Sequence, residues 1–283
     1  MQLEYKILKA IQNVTNKQKL NLHEPFFFGK EKKYLKHCIE TTFVSSKGKY
    51  VKKFEAALSK YINAKNIILL NSGTSALHIA LLLMGVKSGD EVILPSMTFV
   101  ATANAVKYCN ANPHFVDSEE ESLGIDPIAL NNWLNKIVKK KGKYSFNKMT
   151  NNRISAIVPM HTFGHPCKMD ELKKISKKFN MRIIEDSAEA LGSFYKGKHA
   201  GTIGDIGTLS FNGNKTITTG AGGAIITNND RVALQVRHII STAKQVFIDE
   251  VDTVTDVNLV GSDATESIAD VGDIELENEI DDD

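Results

Sequence analysis

The strongest signal of the fold lies in residues 71–106, NSGTSALHIALLLMGVKSGDEVILPSMTFVATANAV. Residues 76–84 are apolar and contain no helix breaker, which predicts a buried helix. Residues 91–94 predict a strand that ends at Pro95, and residues 99–108 predict a second helix. Apolar strands that alternate with helices are typical of βαβ units.

The same alternation continues on both sides of this stretch. Upstream, Val51, Phe54, Leu58 and Tyr61 recur at helical spacing, and a short apolar run, residues 67–70, follows them. Downstream, strands are predicted at residues 114–116, 155–160, 181–184, 208–211 and 224–227, and a helix face is predicted at Met169, Leu172 and Ile175. This order predicts a three-layer α/β/α sandwich around a mostly parallel sheet, with ligands bound beyond the carboxyl ends of its strands.

Composition and charge exclude several classes of protein. The chain of 283 residues is 42% hydrophobic and 24% charged, as in ordinary globular proteins. It has no apolar run near the ~18 residues of a membrane helix, and its first residues do not form a signal sequence. The three cysteines, Cys38, Cys109 and Cys167, are far apart and are interpreted as reduced thiols. A cytoplasmic protein without a membrane partner is therefore expected.

Charge is distributed unevenly along the chain. Residues 246–283 contain 14 of the 33 acidic residues and none of the 35 basic ones, so the preceding part is basic. Nucleic-acid binding is one interpretation of this, but the lysines are scattered and lack interleaved aromatic residues, which favours a solvated surface and no nucleic-acid partner. The domains expected are a peripheral N-terminal segment (1–20), a large domain (21–245) with a surface insertion at 136–152, and a disordered acidic tail (246–283).

Lys215 is the first candidate for chemistry. It follows a predicted strand within residues 204–223, GDIGTLSFNGNKTITTGAGG. Gly220, Gly222 and Gly223 would let the backbone approach a ligand closely, and the hydroxyl of Ser210 could donate to a phosphate. A lysine amine in a shielded site can form a Schiff base, although an exposed surface lysine is the ordinary alternative.

Three further features could accompany such a lysine. Asp186 ends a predicted strand, where it could pair with the pyridine nitrogen of pyridoxal phosphate or, equally well, cap a following helix. Residues 71–75 open an apolar helix whose free N–H groups could bind phosphate, though capping without a ligand is commoner. Phe99 could stack on a flat ring, with core packing as the alternative. His161 and His165 are four residues apart, but Gly and Pro interrupt that segment, so no metal site is expected.

Together, in this order, these segments resemble the DegT/DnrJ/EryC1/StrS family of pyridoxal-phosphate-dependent sugar aminotransferases, which have fold type I. The resemblance runs from about residue 22 to residue 245, and it includes FVSSKGKYVKKFE, VPMHTFGHP, EDSAEALGSFYKGKHAGTIGDIG and SFNGNKTITTGAGG as well as the opening stretch.

The resemblance implies a role for each candidate residue. Lys215 would be the catalytic residue that carries the cofactor and moves the proton. Asp186 would pair with the pyridine nitrogen, Glu189 would lie near the 3-hydroxyl, and Phe99 would stack on the ring. The remaining cofactor-binding residues would be Gly73 and Thr74 with Ser210 at the phosphate, and His161 near the cofactor.

The resemblance also implies an activity. It points to transamination of a nucleotide-linked keto-deoxy sugar with glutamate as donor, and it is strongest to the branch that aminates UDP-linked 4-keto-6-deoxy-N-acetylhexosamines. Related sugar dehydratases have histidine in place of the lysine, so Lys215 favours amino transfer. Family members form homodimers and continue past the counterpart of residue 245 into a small domain that is expected to be missing here. The alternative is a pyridoxal-phosphate-binding protein without catalytic activity.

Overall fold

The computed structural model describes residues 2–16, 19 and 24–242; the tail predicted at 246–283 lies outside them. Its helices are α1 (Gln2–Thr15), α2 (Glu31–Glu40), α3 (Lys49–Ile62), α4 (Gly73–Leu83), α5 (Val100–Tyr108), α6 (Pro127–Ile137), α7 (Met169–Phe179), α8 (Asp230–Thr242) and a 3-10 turn at Thr162–Gly164. Its strands are β1 (Asn66–Leu70), β2 (Glu91–Pro95), β3 (Asn112–Val116), β4 (Val138–Lys141), β5 (Tyr144–Asn147), β6 (Ile154–Ile157), β7 (Arg182–Asp186), β8 (Phe194–Tyr195), β9 (Lys198–His199), β10 (Ile206–Ser210) and β11 (Gly223–Thr227).

In the described part of the chain, seven strands form one sheet in the order β1-β11-β10-β7-β6-β2-β3. The pairs β10–β7, β7–β6, β6–β2 and β2–β3 are parallel, whereas β11 is antiparallel to both of its neighbours. The mostly parallel sheet expected from the sequence is confirmed. The direction of β11 was not predicted; it follows because residues 211–222 contain no crossover helix, which a parallel connection requires.

Helices cover both faces of the sheet, as expected for three layers. Successive residues of β2 point to opposite faces: Val92 and Leu94 join an apolar cluster with α4, α5 and α8, while Ile93 joins one with α6 and α7. A third cluster packs α3 against the β1–β11–β10 side, with Leu58 and Ile62 buried there. A sheet buried on both faces leaves its strand ends as the place for polar side chains.

The predicted surface insertion is an ordered hairpin of β4 and β5. The lysines of β4 are exposed, but Asn147 donates a hydrogen bond of 2.9 Å to the buried carboxylate of Glu91, and Ser145 donates one of 2.6 Å to the carbonyl of Phe179. These two contacts fix the hairpin to β2 and α7.

The N-terminal helix α1 buries none of its side chains. Across the described ranges, no helix combines the length and apolar character needed to cross a bilayer.

Candidate active site

A cavity of about 300 Å³ opens beyond the carboxyl ends of the parallel strands. It receives residues that follow β1, β2, β6, β7 and β10, which is where a doubly wound sheet binds ligands. All eight of the predicted site residues line it, namely Gly73, Thr74, Phe99, His161, Asp186, Glu189, Ser210 and Lys215.

The N-terminus of α4 forms one wall of the cavity. Ser72 caps the helix, since its hydroxyl accepts the Ser75 N–H at 3.1 Å. Gly73 and Thr74 are the first helical residues, so their N–H groups have no partner within the helix. A Cβ on Gly73 would lie 2.8 Å from the Cβ of Ser210, so only glycine lets this hydroxyl and the two amides share one wall. The arrangement suits a phosphate.

Asp186 is the last residue of β7 and is only 3% exposed. One carboxylate oxygen accepts from the Thr102 hydroxyl at 2.7 Å, and the other accepts from the Ala188 amide at 3.2 Å. No helix begins after it in this described segment, so the helix-cap interpretation is wrong. Burial raises the pKa of Asp186 although these hydrogen bonds oppose the shift. Each oxygen keeps a free lone pair, so the carboxylate can accept from a cationic ring nitrogen.

Lys215 points into the cavity between Glu189 and Phe99. Its Nζ lies 2.9 Å from Oε1 of Glu189 and 5.6 Å from the centre of the Phe99 ring. The Lys215 side chain is 10% exposed, so it is not a plain surface lysine. Phe99 is 64% exposed, which excludes core packing and leaves its ring open. The backbone amide of Phe99 donates to the sulfur of Met160 at 3.3 Å, and this contact fixes the backbone that carries the ring.

His161 lines the cavity, but both of its ring nitrogens bond away from it. The Cys167 amide donates to Nδ1 at 3.1 Å, and Nε2 lies 3.0 Å from Oε2 of Glu185. Burial lowers the pKa of His161, but the contacts with Cys167 and Glu185 outweigh burial and raise it to about 10. Because the Cys167 amide hydrogen faces Nδ1, Nε2 is the ring nitrogen that donates to Glu185. Within the described ranges, no three His, Cys, Asp or Glu side chains group to hold a metal.

Glu185 is a supporting residue that the sequence did not reveal as such. It is fully buried, and besides His161 it accepts from the amides of Gly201, Ile203 and Gly204. Burial raises its pKa, but His161 and the amides outweigh burial and keep the pKa of Glu185 below its usual value. The signal was present in the Glu-Asp pair that ends β7, because consecutive strand residues point to opposite sides. Asp186 faces the cavity, and Glu185 binds the 201–204 loop.

Of the glycines that follow Lys215, Gly222 lies at the cavity as predicted, whereas Gly223 has a different part. Gly222 lines the cavity, with φ of +147°. A Cβ on Gly223 would lie 2.4 Å from the carbonyl carbon of Ser72, so Gly223 allows the backbone to approach the start of α4 and not a ligand.

Comparison with known proteins gives the chain its family. The sequence profile of the DegT/DnrJ/EryC1/StrS aminotransferase family matches residues 28–264. The chain belongs to this family. A solved member from Brucella abortus, described as a DegT DnrJ EryC1 StrS aminotransferase, superposes with a TM-score of 0.69 at 27% identity, covering 79% of this chain and 57% of that one.

Two further relatives bear on the chemistry. GDP-perosamine synthase of Escherichia coli O157:H7 is 43% identical over 208 residues, which are 74% of this chain and 53% of that protein. GDP-4-keto-6-deoxy-D-mannose-3-dehydratase of E. coli, solved with bound hydrated PLP, has a TM-score of 0.66 at 25% identity, covering 78% of this chain and 53% of that one. The chain thus spans about half the length of the curated relatives it matches.

Proposed function

We propose that this chain binds pyridoxal phosphate at Lys215 and transfers an amino group to a nucleotide-linked keto-deoxy sugar. The observation that carries the proposal is the convergence of Lys215, Asp186, Phe99 and the N-terminus of α4 on one cavity.

The cavity offers a partner for each functional group of this cofactor. Two free amides with the Ser210 hydroxyl suit the phosphate, and the Asp186 carboxylate suits the protonated ring nitrogen. The open ring of Phe99 suits one face of the pyridine, and the Lys215 amine suits the aldehyde. Asp186 supports this fit independently, because a buried carboxyl with a raised pKa gains from a cationic partner. The volume of about 300 Å³ is at the lower end for ligand pockets.

The residues of the chain then have defined tasks. When bound, pyridoxal phosphate supplies an electron sink for carbanion chemistry. Lys215 anchors the cofactor and carries a proton at Nζ to and from substrate carbon. Glu189, 2.9 Å away, holds the proton at that Nζ while the amine is free. Phe99 would cover one face of the bound ring. His161 and Glu185 hold the loop behind Asp186 in place.

The substrate is proposed from the relatives. A relative named GDP-perosamine synthase supports a GDP-linked sugar, whereas the sequence resemblance predicted a UDP-linked one. Both are sugars linked to a nucleoside diphosphate, and the keto-deoxy form of the proposed substrate rests on the family resemblance. Glutamate as donor and a homodimer rest on the family resemblance alone, and a cytoplasmic location rests on the composition and the dispersed cysteines.

The test is an amino-transfer assay with the full chain. The protein would be incubated with pyridoxal phosphate, glutamate and either a GDP- or a UDP-linked 4-keto-6-deoxy sugar, and the products followed by mass spectrometry. We expect an amino sugar and 2-oxoglutarate in equal amounts, none with Lys215→Ala, and unchanged yield with Lys139→Ala, an exposed lysine of the β4–β5 hairpin.

The second candidate is a protein that binds the cofactor without catalysis. It rests on the same cavity, whose Gly73, Phe99 and Asp186 would hold the cofactor whether or not an amino group is transferred. Cofactor binding at Lys215 without amino transfer from any donor to either sugar would support it and contradict the proposal.

A further inference from the structure

A threonine behind Asp186 has no role in the proposed function so far. Thr102 is 1% exposed and lies on α5, one helical turn after Phe99. Its hydroxyl lies 2.7 Å from Oδ2 of Asp186. The same short helix therefore carries the open aromatic ring at its N-cap and a hydroxyl that contacts the buried carboxyl.

We propose that Thr102 is a positioning residue that holds Asp186 ionised and aimed into the cofactor cavity. The inference rests on the proposed function, because it concerns how the same site recognises a cationic ring nitrogen.

The hydrogen-bond inventory of Asp186 supports this. An ionised carboxylate only accepts, so the Thr102 hydroxyl must donate to it, and a donor bond to a charged oxygen is stronger than one to a neutral acid. The only other donor in the described contacts of this carboxylate is the Ala188 amide, at the longer distance of 3.2 Å. Two donors on different oxygens fix the plane of the carboxylate and leave lone pairs directed elsewhere.

The ionisable groups around Asp186 do not replace this hydrogen bond. The groups that face it are His161 and Lys215, and neither forms a hydrogen bond to its carboxylate in the described contacts. His161 bonds to Glu185 instead, and Lys215 bonds to Glu189. Glu185, its neighbour on β7, points to the 201–204 loop. Thus the Thr102 hydroxyl and the Ala188 amide lower the pKa of Asp186, and complete burial raises it.

The sign of the pH effect follows from this balance. Asp186 must be ionised to pair with a protonated ring nitrogen, so affinity for pyridoxal phosphate falls as the pH drops through the pKa of Asp186. Removing the Thr102 hydroxyl raises that pKa, so the acid limb of binding moves to higher pH. A hydrogen bond to a charged group corresponds to about a tenfold or greater change in affinity and to about one pH unit.

The experiment measures the dissociation constant of pyridoxal phosphate against pH for the full-length wild type, Thr102→Val and Thr102→Ser. Valine keeps the shape and removes the hydroxyl, whereas serine retains the hydroxyl. We expect valine to weaken binding at least about tenfold at acid pH and to shift the acid midpoint up by about one unit, with serine close to wild type. The titration of the free cofactor is common to all three proteins and cancels.

The possible outcomes distinguish the role of Thr102 from the proposed function. Equal acid midpoints for valine and wild type would overturn the role of Thr102 and leave the proposed function standing. A serine variant as impaired as valine would also overturn it, because the hydroxyl would then not be the cause. A wild type that binds no pyridoxal phosphate would overturn the proposed function and this inference together. If the valine variant does not fold, Thr102→Ala against Thr102→Ser gives the same comparison.

Discussion

Replacing Glu185 by glutamine keeps the shape of a fully buried side chain and removes one acceptor and the charge. In the native protein, Oε1 accepts from the amides of Ile203 and Gly204, and Oε2 accepts from the amide of Gly201 and from His161. Glutamine has a single carbonyl oxygen, so its NH₂ group must face two donors. Each buried donor that loses its acceptor costs about 1–3 kcal/mol.

The expected loss of stability is large for one substitution. The two donors left without an acceptor are the Gly201 amide and His161, and His161 is the partner of the buried charge. Their loss lowers the free energy of unfolding by about 3–5 kcal/mol. For a domain of this size that corresponds to a melting temperature lower by roughly 6–20 °C. Thermal and urea unfolding of Glu185→Gln would measure it.

Glu189→Gln is the matched control, because it makes the same chemical change four residues later. The Glu189 side chain is 38% exposed and its described contact is with Lys215, so its loss should cost less than about 1 kcal/mol. Equal stability of the Glu185→Gln variant and wild type, or equal losses in the two variants, would refute the reasoning.

The pH dependence of stability gives a second check on Glu185. Burial raises the pKa of Glu185, but His161 and the loop amides lower it by a larger amount. The pKa in the folded protein is therefore below the value in the unfolded chain. The stabilisation is therefore complete above the usual carboxyl pKa of about 4.3 and is lost as pH falls through the lowered pKa. The difference between wild type and Glu185→Gln should shrink in acid.

Two further substitutions test the walls of the cavity. Gly73→Ala should weaken pyridoxal phosphate binding roughly tenfold, because the new Cβ would lie 2.8 Å from the Cβ of Ser210. Gly213→Ala is the control, since its Cβ would have nothing within 4 Å and should leave the affinity unchanged. Equal affinities of the two variants in an equilibrium titration would contradict the close contact. Phe99→Ala should weaken binding about two- to tenfold and change unfolding by less than about 0.5 kcal/mol, because the ring is exposed; a large loss of stability would show that it packs in the core.

Much of the fold was accessible from the sequence because its signals are local. The apolar helix at α4 and the apolar strands around it follow from periodicity and from breakers such as Pro95 and Gly85. The direction of β11 was not accessible, because an antiparallel return and a parallel crossover use the same strand pattern.

The sequence likewise identified some of the site residues and missed others. The sequence predicted Asp186 and Lys215 as site residues, but it left open that Asp186 caps a helix and that Lys215 is a surface residue. Neither burial nor the course of the following chain is a local property. Thr102 and Glu185 were not assigned roles. Their partners, Asp186 at 84 residues away and the amides of the 201–204 loop, are brought to them only by tertiary structure.

Covalent capture of pyridoxal phosphate tests the central claim most directly. The full chain would be incubated with the cofactor, reduced with borohydride, digested and mapped by peptide mass spectrometry. We expect one stoichiometric modification, on Lys215, accompanied by visible absorbance that is absent from Lys215→Ala. Modification spread over surface lysines, or equal labelling of the Lys215→Ala variant, would contradict the assignment of Lys215 as the residue that holds the cofactor.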